Sequence, residues 1–378
     1  MPRELQLLKE LIALPSVNPA FLPANDPRAG EHRVSDFLAA TAAIGGLDVE
    51  LIPVVRNRRN ILARLTPSGE VRQRIVLAPH TDTVGGGEEL DSILQPRLKS
   101  GRLYGRGACD TKGCVAAMLT AVLNVAKQRN RPRHTEIIFA GLIDEENGQL
   151  GSRHLASSGF AADLAIVGEP TRLEVISAHK GDLWLKLETH GKAAHGATPD
   201  LGRNAVLEMA RVVEVLETDY SRALKQRRHR LLGSPTVNVG SIRGGLQANI
   251  VPAHCEITID RRTIPGETES VIRREILALL AKNKLKATIA NSKAGACLPL
   301  ETNPRLPLVR QFLKATGRKK ALGVHYFCDA SVLSAGGIPS IVFGPGDIAQ
   351  AHTSDEWISV DSLARGTALL TRFLASLP

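Results

Sequence analysis

The sequence predicts an α/β domain into which a smaller α+β domain is inserted. Two changes of pattern along the 378 residues lead to this prediction. Up to about residue 177, short runs of β-branched residues alternate with helical stretches, as in α/β proteins. Half-exposed strands and two helices follow over residues 178–294, and the α/β pattern then resumes. We therefore predict that residues 1–177 and 295–378 form one interrupted α/β domain and that residues 178–294 form an inserted lid domain.

The first segment begins with an amphipathic helix that Pro15 ends. In a second helix, Val115, Leu119, Val122 and Ala126 lie three or four residues apart, a spacing that predicts one buried helical face. The predicted elements, in order, are the helix "MPRELQLLKELIALPSVNP", the strands "RNILARLT" and "RIVLAPH", the helix "TKGCVAAMLTAVLNVAKQ", and the strands "TEIIFAGLI" and "ADLAIVG".

The inserted segment has its own order of elements. It starts with the strand "DLWLKLETHG" and a helix over about 203–226, followed by the strands "TVNVGSI" and "CEITIDRRT", the helix "ESVIRREILALLAKNK" and the strand "KATIAN". This β-α-β-β-α-β order is that of a ferredoxin-like α+β unit. In the last segment we predict a helix near 305–316, the strand "PSIVFG" and the closing helix "VDSLARGTALLTRFLASL".

Composition excludes some classes of protein. No window approaches eighteen uninterrupted apolar residues, so no transmembrane helix is predicted. The N-terminus lacks the apolar core of a signal peptide, and the five cysteines form no C-x-x-C pair, which together predict a cytoplasmic protein with buried free thiols.

The net charge of +10 lies in separate basic clusters, and aromatic residues are only 3%. We interpret these clusters as solvated faces that attract small anions rather than as a nucleic-acid surface.

Polar side chains follow four predicted strands at the points where the strands end. They are His80 and Asp82, then Asp144, Glu145 and Glu146, then Glu169 and, after a short loop, His352; Asp110 precedes the second helix. Ligands bind beyond the carboxyl ends of strands in open α/β sheets. Histidines and carboxylates that converge there have the chemistry of Zn²⁺ ligands. The sequence contains no H-E-x-x-H, G-x-S-x-G or G-x-x-x-x-G-K-[ST] motif, so other common active sites are excluded.

Five ordered motifs resemble those of the di-zinc aminoacylase and carboxypeptidase family. They are "PHTDTV", "GRGACDTKG", "DEENGQLGS", "VGEPT" and "AQAHTSDEW". The resemblance covers essentially the whole chain, including the inserted segment. It implies a zinc-peptidase-like catalytic domain, a homodimer formed through the inserted domain, and two Zn²⁺ per subunit, for which Co²⁺ can substitute. It also implies that Asp110 bridges the two ions, with His80 and Glu169 completing one site and Glu146 and His352 the other.

The same resemblance assigns roles to residues that do not bind metal. Asp82 is expected to hold the second ring nitrogen of His80 and so to orient that ligand. Glu145 is expected to act as the general base, because an unligated carboxylate can take a proton from water and return it to the leaving amine. The peptide bond after Asp110 is expected to be cis. Asp144 is expected to be structural.

Three residues of the inserted segment complete the set. His195 in "HGKAAHGATPD" is expected to reach a partner subunit's active site and to donate a hydrogen bond to the oxyanion. The alternative is a histidine of the lid domain whose hydrogen bonds are made locally. Asn249 and Arg262 are expected to bind the substrate carboxylate, since a guanidinium fork suits that geometry. Arg261, the alternative to Arg262, is expected on the opposite face of the strand.

The resemblance implies an amidohydrolase acting on a small N-acyl amino acid. "FGPGDIAQAHTSDEW" looks closest to the acetylornithine deacetylase branch, which predicts cleavage of N-acetyl-L-ornithine to L-ornithine and acetate. The desuccinylases of succinyl-diaminopimelate and the metallo-dipeptidases and carboxypeptidases remain alternatives. In the stretch "YFCDASVLSAGGIPS", Cys328 stands where the family more often has threonine or a small residue. A non-catalytic metal-binding scaffold is a further alternative, against which an unligated Glu145 argues.

Overall fold

The computed structural model describes residues 1–292 and 296–378 in two compact units. The first unit comprises Met1–Ser177, Thr302–Leu322 and Cys328–Pro378. The second unit comprises Ala178–Glu301 and Gly323–Phe327. The predicted boundary between residues 294 and 295 lies outside the described residues.

Strands and helices alternate along much of the chain. The strands are β1 (Asp48–Val55), β2 (Arg58–Leu65), β3 (Gln73–Pro79), β4 (Arg97–Lys99), β5 (Arg102–Tyr104), β6 (Thr135–Gly141), β7 (Leu164–Gly168), β8 (Ile176–His179), β9 (Gly181–His190), β10 (Thr236–Gly244), β11 (His254–Thr263), β12 (Thr288–Asn291), β13 (Leu300–Glu301), β14 (Leu322–Val324), β15 (Ser340–Val342) and β16 (Trp357–Ser359). The α-helices are α1 (Arg3–Ala13), α2 (His32–Ile44), α3 (Leu90–Ile93), α4 (Lys112–Ala126), α5 (Leu150–Ser157), α6 (Ala205–Val215), α7 (Ser221–Lys225), α8 (Glu269–Lys282), α9 (Pro307–Thr316), α10 (Ala330–Ala335) and α11 (Val360–Ala375).

The main sheet of the first unit has the order β1-β2-β6-β3-β7-β15. Strands β6, β3, β7 and β15 are parallel to one another, whereas β1 and β2 are antiparallel to their neighbours. The four parallel strands therefore end at one edge of the sheet, which is where the sequence places its polar residues. A small second sheet, β16-β5-β4, brings the chain near Trp357 beside the chain near Tyr104.

Helix α4 departs from the predicted single buried face. It packs against α1 and α11 as well as against β3, β6 and β7. As a result every residue from Lys112 to Leu123, together with Val125, is buried. The three- and four-residue spacing of its apolar residues identified the helix but could not reveal that a second helical layer covers its outer side.

The second unit is a four-stranded antiparallel sheet in the order β10-β11-β9-β12, with its helices packed on one face. Apolar side chains of β9 and β11 form its core with those of α6 and α8. The element order agrees with the predicted ferredoxin-like unit and confirms the predicted fold class. The helix predicted over about 203–226 is interrupted by a π-helical turn at Leu216–Tyr220.

Two other expectations concern the chain as a whole. All five cysteines are free and buried. Among the residues that the structure describes, no helix has the length and apolar character needed to cross a membrane.

Candidate metal centre

Histidines and carboxylates meet at the carboxyl edge of the parallel strands in the first unit. His80 follows β3, Glu146 follows β6, Glu169 follows β7, and His352 lies in the loop after β15. Asp110 precedes α4 and lies between them. These five residues form two groups that share Asp110, and within each group one ligand atom per residue lies within 4.8 Å of the others.

The first group consists of His80, Asp110 and Glu169, all of them buried. The Nε2 atom of His80 lies 3.1 Å from Oδ1 of Asp110 and 3.9 Å from Oε1 of Glu169. Burial alone would lower the pKa of His80, but its contacts with Asp110 and Asp82 raise that pKa well above the ordinary value. The site therefore favours a positive charge at the position of this ring.

The second group consists of Asp110, Glu146 and His352. The Nε2 atom of His352 lies 3.2 Å from Oδ2 of Asp110 and 3.1 Å from Oε2 of Glu146. The two oxygens of Asp110 thus face different histidines, the arrangement that a bridging carboxylate needs. Contacts with Asp110 and Glu146 raise the pKa of His352 to about 10, and burial raises that of Glu146 to about 7 with a contribution from Asp110.

The residues of both groups fit a pair of divalent cations. Each group combines one imidazole with two carboxylates, a donor set suited to Zn²⁺ and to related transition metals. The Oε1 atom of Glu146 is buried and, in the part of the chain that the structure describes, accepts no hydrogen bond. Such an orphaned carboxylate oxygen is costly unless a cation satisfies it. A metal ion that binds here must displace the proton of His352, so metal binding and proton release are coupled.

Asp82 organises the centre more extensively than expected. The backbone carbonyl oxygen of Asp82 lies 3.1 Å from Nδ1 of His80, and Oδ1 of Asp82 lies 3.4 Å from the same nitrogen. The carboxylate of Asp82 also accepts hydrogen bonds from the backbone nitrogens of Glu145 and Glu146, at 3.1 and 3.2 Å. One buried side chain therefore orients both a histidine and the two adjacent glutamates. The peptide bond between Asp110 and Thr111 is cis, as the resemblance implied.

Glu145 belongs to neither ligand group. Burial raises the pKa of the Glu145 carboxyl well above its ordinary value, and while His80 opposes the shift, the negative charge of Glu169 adds to it. A carboxyl group whose pKa is raised above its ordinary value holds a proton more readily, which suits a group that accepts a proton and returns it. The two adjacent glutamates consequently lie in different surroundings.

The turn that carries both glutamates rests on a buried polar network that the sequence analysis missed. Asn18 donates hydrogen bonds to Asp82 and Asp144, at 2.8 and 2.9 Å. Arg58 binds the carboxylates of Glu31 and Asp144, at 2.6 and 2.8 Å. Asp144, at a positive φ of 68°, is thereby held in the left-handed region, which supports its predicted structural role. No local sequence signal marks Asn18 or Arg58, because their partners lie far away along the chain.

Replacing Arg58 with methionine is expected to lower the free energy of unfolding of the metal-free protein by about 3–5 kcal/mol, because Glu31 and Asp144 would keep buried charges without a cation. Urea unfolding of the metal-free protein measures this change. Arg59→Met is the matched control, since its ion pair with Asp36 is exposed and such pairs contribute about 0–1 kcal/mol. Equal destabilisation by both substitutions would contradict the assigned role of Arg58.

The second unit carries the other predicted residues. His195 and Asn249 are exposed, and the backbone nitrogen of Gly196 donates a 2.7 Å hydrogen bond to the carbonyl of Asn249, so the two segments are neighbours. The half-buried guanidinium of Arg262 contacts Asp260 at 2.9 Å. Arg261 is fully buried on the other face of β11, where it contacts Glu267.

The fold and the two linked donor groups define a class of protein, the metal-dependent hydrolases with an interrupted α/β domain. The chain belongs to the peptidase family M20/M25/M40, whose model matches residues 76–376. It is accordingly a hydrolase that acts on amide bonds.

Similar proteins support this placement. Acetylornithine deacetylase of Myxococcus xanthus is 33% identical over 326 residues, covering 84% of this chain and 83% of that protein. The enzyme of the same name from Edwardsiella ictaluri is 32% identical and covers 99% of this chain and 97% of its own. The fold matches a Staphylococcus aureus tripeptidase with a TM-score of 0.78 at 21% identity, covering 99% and 97% of the two chains. It also matches a dinuclear metal-binding M20 peptidase of Bacillus subtilis with a TM-score of 0.71 at 12% identity, with the same coverage.

Proposed function

We propose that the protein is a cytoplasmic, zinc-dependent acetylornithine deacetylase, which hydrolyses N-acetyl-L-ornithine to L-ornithine and acetate. The observation that carries the proposal is the position of Glu145. It is adjacent to Glu146, in one of two ligand groups that share Asp110, but Glu145 itself belongs to neither group. Relatives that bear this name match most of the chain at 30–33% identity. The cationic character of the chain, with a net charge of +10, suits a small substrate that carries a carboxylate.

In this proposal His80, Asp110 and Glu169 hold one zinc ion, and Asp110, Glu146 and His352 hold the other. Co²⁺ is the expected substitute, because the same nitrogen and oxygen donors suit it. When bound, the two cations supply Lewis acidity, which acidifies water and polarises the amide carbonyl. Glu145 takes the proton of the attacking water and delivers it to the amine nitrogen as the amide bond breaks. Asp82 keeps Glu145 and His80 in place during both transfers.

The inserted domain supplies the remaining groups of the proposal. His195 donates a hydrogen bond to the oxyanion, an interaction worth about 2.7–4 kcal/mol per donor in comparable sites. Asn249 and Arg262 bind the α-carboxylate, with Asp260 holding the guanidinium of Arg262 in orientation. We further propose a homodimer through this domain, in which His195 serves the active site of the partner subunit.

Three substrates separate the proposal from its alternatives. We expect the zinc-loaded protein to hydrolyse N-acetyl-L-ornithine with a higher kcat/KM than N-succinyl-diaminopimelate or a dipeptide. Preference for the succinyl substrate or for the dipeptide would instead identify a desuccinylase or a peptidase. A protein that binds two zinc ions and cleaves none of the three would be the metal-binding scaffold.

A subunit-mixing experiment tests whether His195 acts across a dimer. Glu145→Ala and His195→Ala subunits are each expected to be nearly inactive, but mixing them should restore part of the activity, since each mixed dimer would contain one complete site. Glu145→Ala subunits mixed with the double variant Glu145→Ala/His195→Ala are the control, because they cannot form a complete site. Absence of recovery after verified subunit exchange would place the role of His195 within its own subunit.

A further inference from the structure

Glu356 is a buried carboxylate in the same motif as His352, and the proposed chemistry does not use it. Only 2% of its surface is exposed. Its Oε1 atom accepts hydrogen bonds from the backbone nitrogens of Cys109 and Asp110, at 2.8 and 2.9 Å. Its Oε2 atom accepts hydrogen bonds from the backbone nitrogen of Gly107 at 3.0 Å and from Nη1 of Arg106 at 2.9 Å. A single side chain thus satisfies four donors of the loop that leads into Asp110.

Two further hydrogen bonds join the same two loops. The Nη1 atom of Arg106 also donates to the backbone carbonyl of Thr353 at 3.1 Å, and the backbone nitrogen of Gly105 donates to the carbonyl of Glu356 at 3.0 Å. The loop of residues 105–110 is therefore attached to the loop of residues 352–356 at several points. Those two loops carry Asp110 and His352, whose side chains lie 3.2 Å apart.

His352 itself lies at a positive φ of 62°, a region that non-glycine residues occupy only when their surroundings hold them there. Glu356 is four residues further along the same loop and is anchored to the 105–110 loop. The anchor therefore constrains the backbone on both sides of the Asp110–His352 contact.

We infer that Glu356, together with Arg106, is a positioning residue for metal binding. Glu356 fixes the position of the shared carboxylate of Asp110 relative to the imidazole of His352, although Glu356 lies in neither ligand group. This inference rests on the proposed metal sites, and it assigns a role to an acidic residue and an arginine for which sequence and spacing had suggested none. Outer residues that orient ligands typically contribute about 10–100-fold to metal affinity.

The substitution Glu356→Gln tests the inference with little change of volume. Both carboxylate oxygens face two donors each, so either orientation of an amide directs its NH₂ group at N–H donors. We expect metal affinity, measured by chelator competition with Zn²⁺, to fall about 10–100-fold. We also expect the visible spectrum of the Co²⁺-loaded protein to change, because the geometry around cobalt would change. Asp355→Asn, at the exposed neighbouring position, is the matched control and should leave both readouts unaltered.

Glu356→Gln with wild-type zinc affinity and an unaltered cobalt spectrum would overturn the inference. If that variant fails to fold, Arg106→Met decides, because methionine removes both hydrogen bonds that Nη1 of Arg106 donates, to Glu356 and to the carbonyl of Thr353. Weakened zinc binding by a folded Arg106→Met protein supports the inference, and wild-type binding overturns it. Failure of the wild-type protein itself to bind two metal ions would instead refute the proposed function, so the two failures can be distinguished.

Discussion

Replacing Glu145 with alanine is expected to lower kcat at least 100-fold while the protein retains close to two zinc ions. The reason is that Glu145 belongs to neither ligand group, whereas its carboxyl is the proposed carrier of the proton. General acid–base catalysis typically contributes about 10²–10⁴-fold, and the expected loss is the lower end of that range. The measurement combines zinc content after gel filtration with the steady-state rate of N-acetyl-L-ornithine hydrolysis.

The control for this experiment is Asn147→Ala, two positions along and exposed, which should leave both metal content and rate close to wild type. Full activity of Glu145→Ala would show that another group carries the proton. Loss of zinc by Glu145→Ala would show that this glutamate is a ligand, and the assignment of the two adjacent glutamates would then have to be revised.

Replacing Glu146 with alanine is expected to have a different signature, the loss of one of the two metal ions. Glu146 supplies one of three side chains of the second group, and its removal leaves only Asp110 and His352 there. The loss of affinity at this site should exceed the about 10–100-fold typical of outer residues, because a direct ligand is removed. Zinc titration of the metal-free variant by isothermal calorimetry measures the stoichiometry and both affinities.

Added metal separates the two variants further. Excess Zn²⁺ should restore part of the activity of Glu146→Ala, because mass action can refill a weakened site. The same addition should leave Glu145→Ala inactive, since its missing group is not a ligand. Two zinc ions bound to Glu146→Ala with wild-type affinity would remove Glu146 from the proposed ligand set.

Strand ends could be located from the sequence because strands and the residues that end them are local features. "EIIFAGLI" is an apolar run that stops at three acids, and the structure places those acids at the edge where His80 and Glu169 also lie. The opposite orientations of Arg261 and Arg262 followed in the same way from the alternation of side chains along a strand. Such inferences need only neighbours in the sequence.

Long-range partners could not be found in this way. Asn18 reaches Asp144 across 126 positions, and no spacing rule relates the two residues. Helix α4 shows the same limit, because the burial of its outer face depends on α1 and α11, which come from opposite ends of the chain. Glu356 is the intermediate case: its motif "AHTSDEW" is visible in the sequence, but its four donors belong to a loop some 250 positions earlier.

The sequence by itself determined the α/β class, the inserted α+β unit and the set of histidines and carboxylates at the strand ends, because each follows from local periodicity and residue chemistry. Only the tertiary structure decided which of these side chains share a group, that Asp110 faces two histidines, and which buried residues support them. Donor atoms only a few ångströms apart arise from strand order and loop packing. These depend on contacts between distant parts of the chain, which no local pattern encodes.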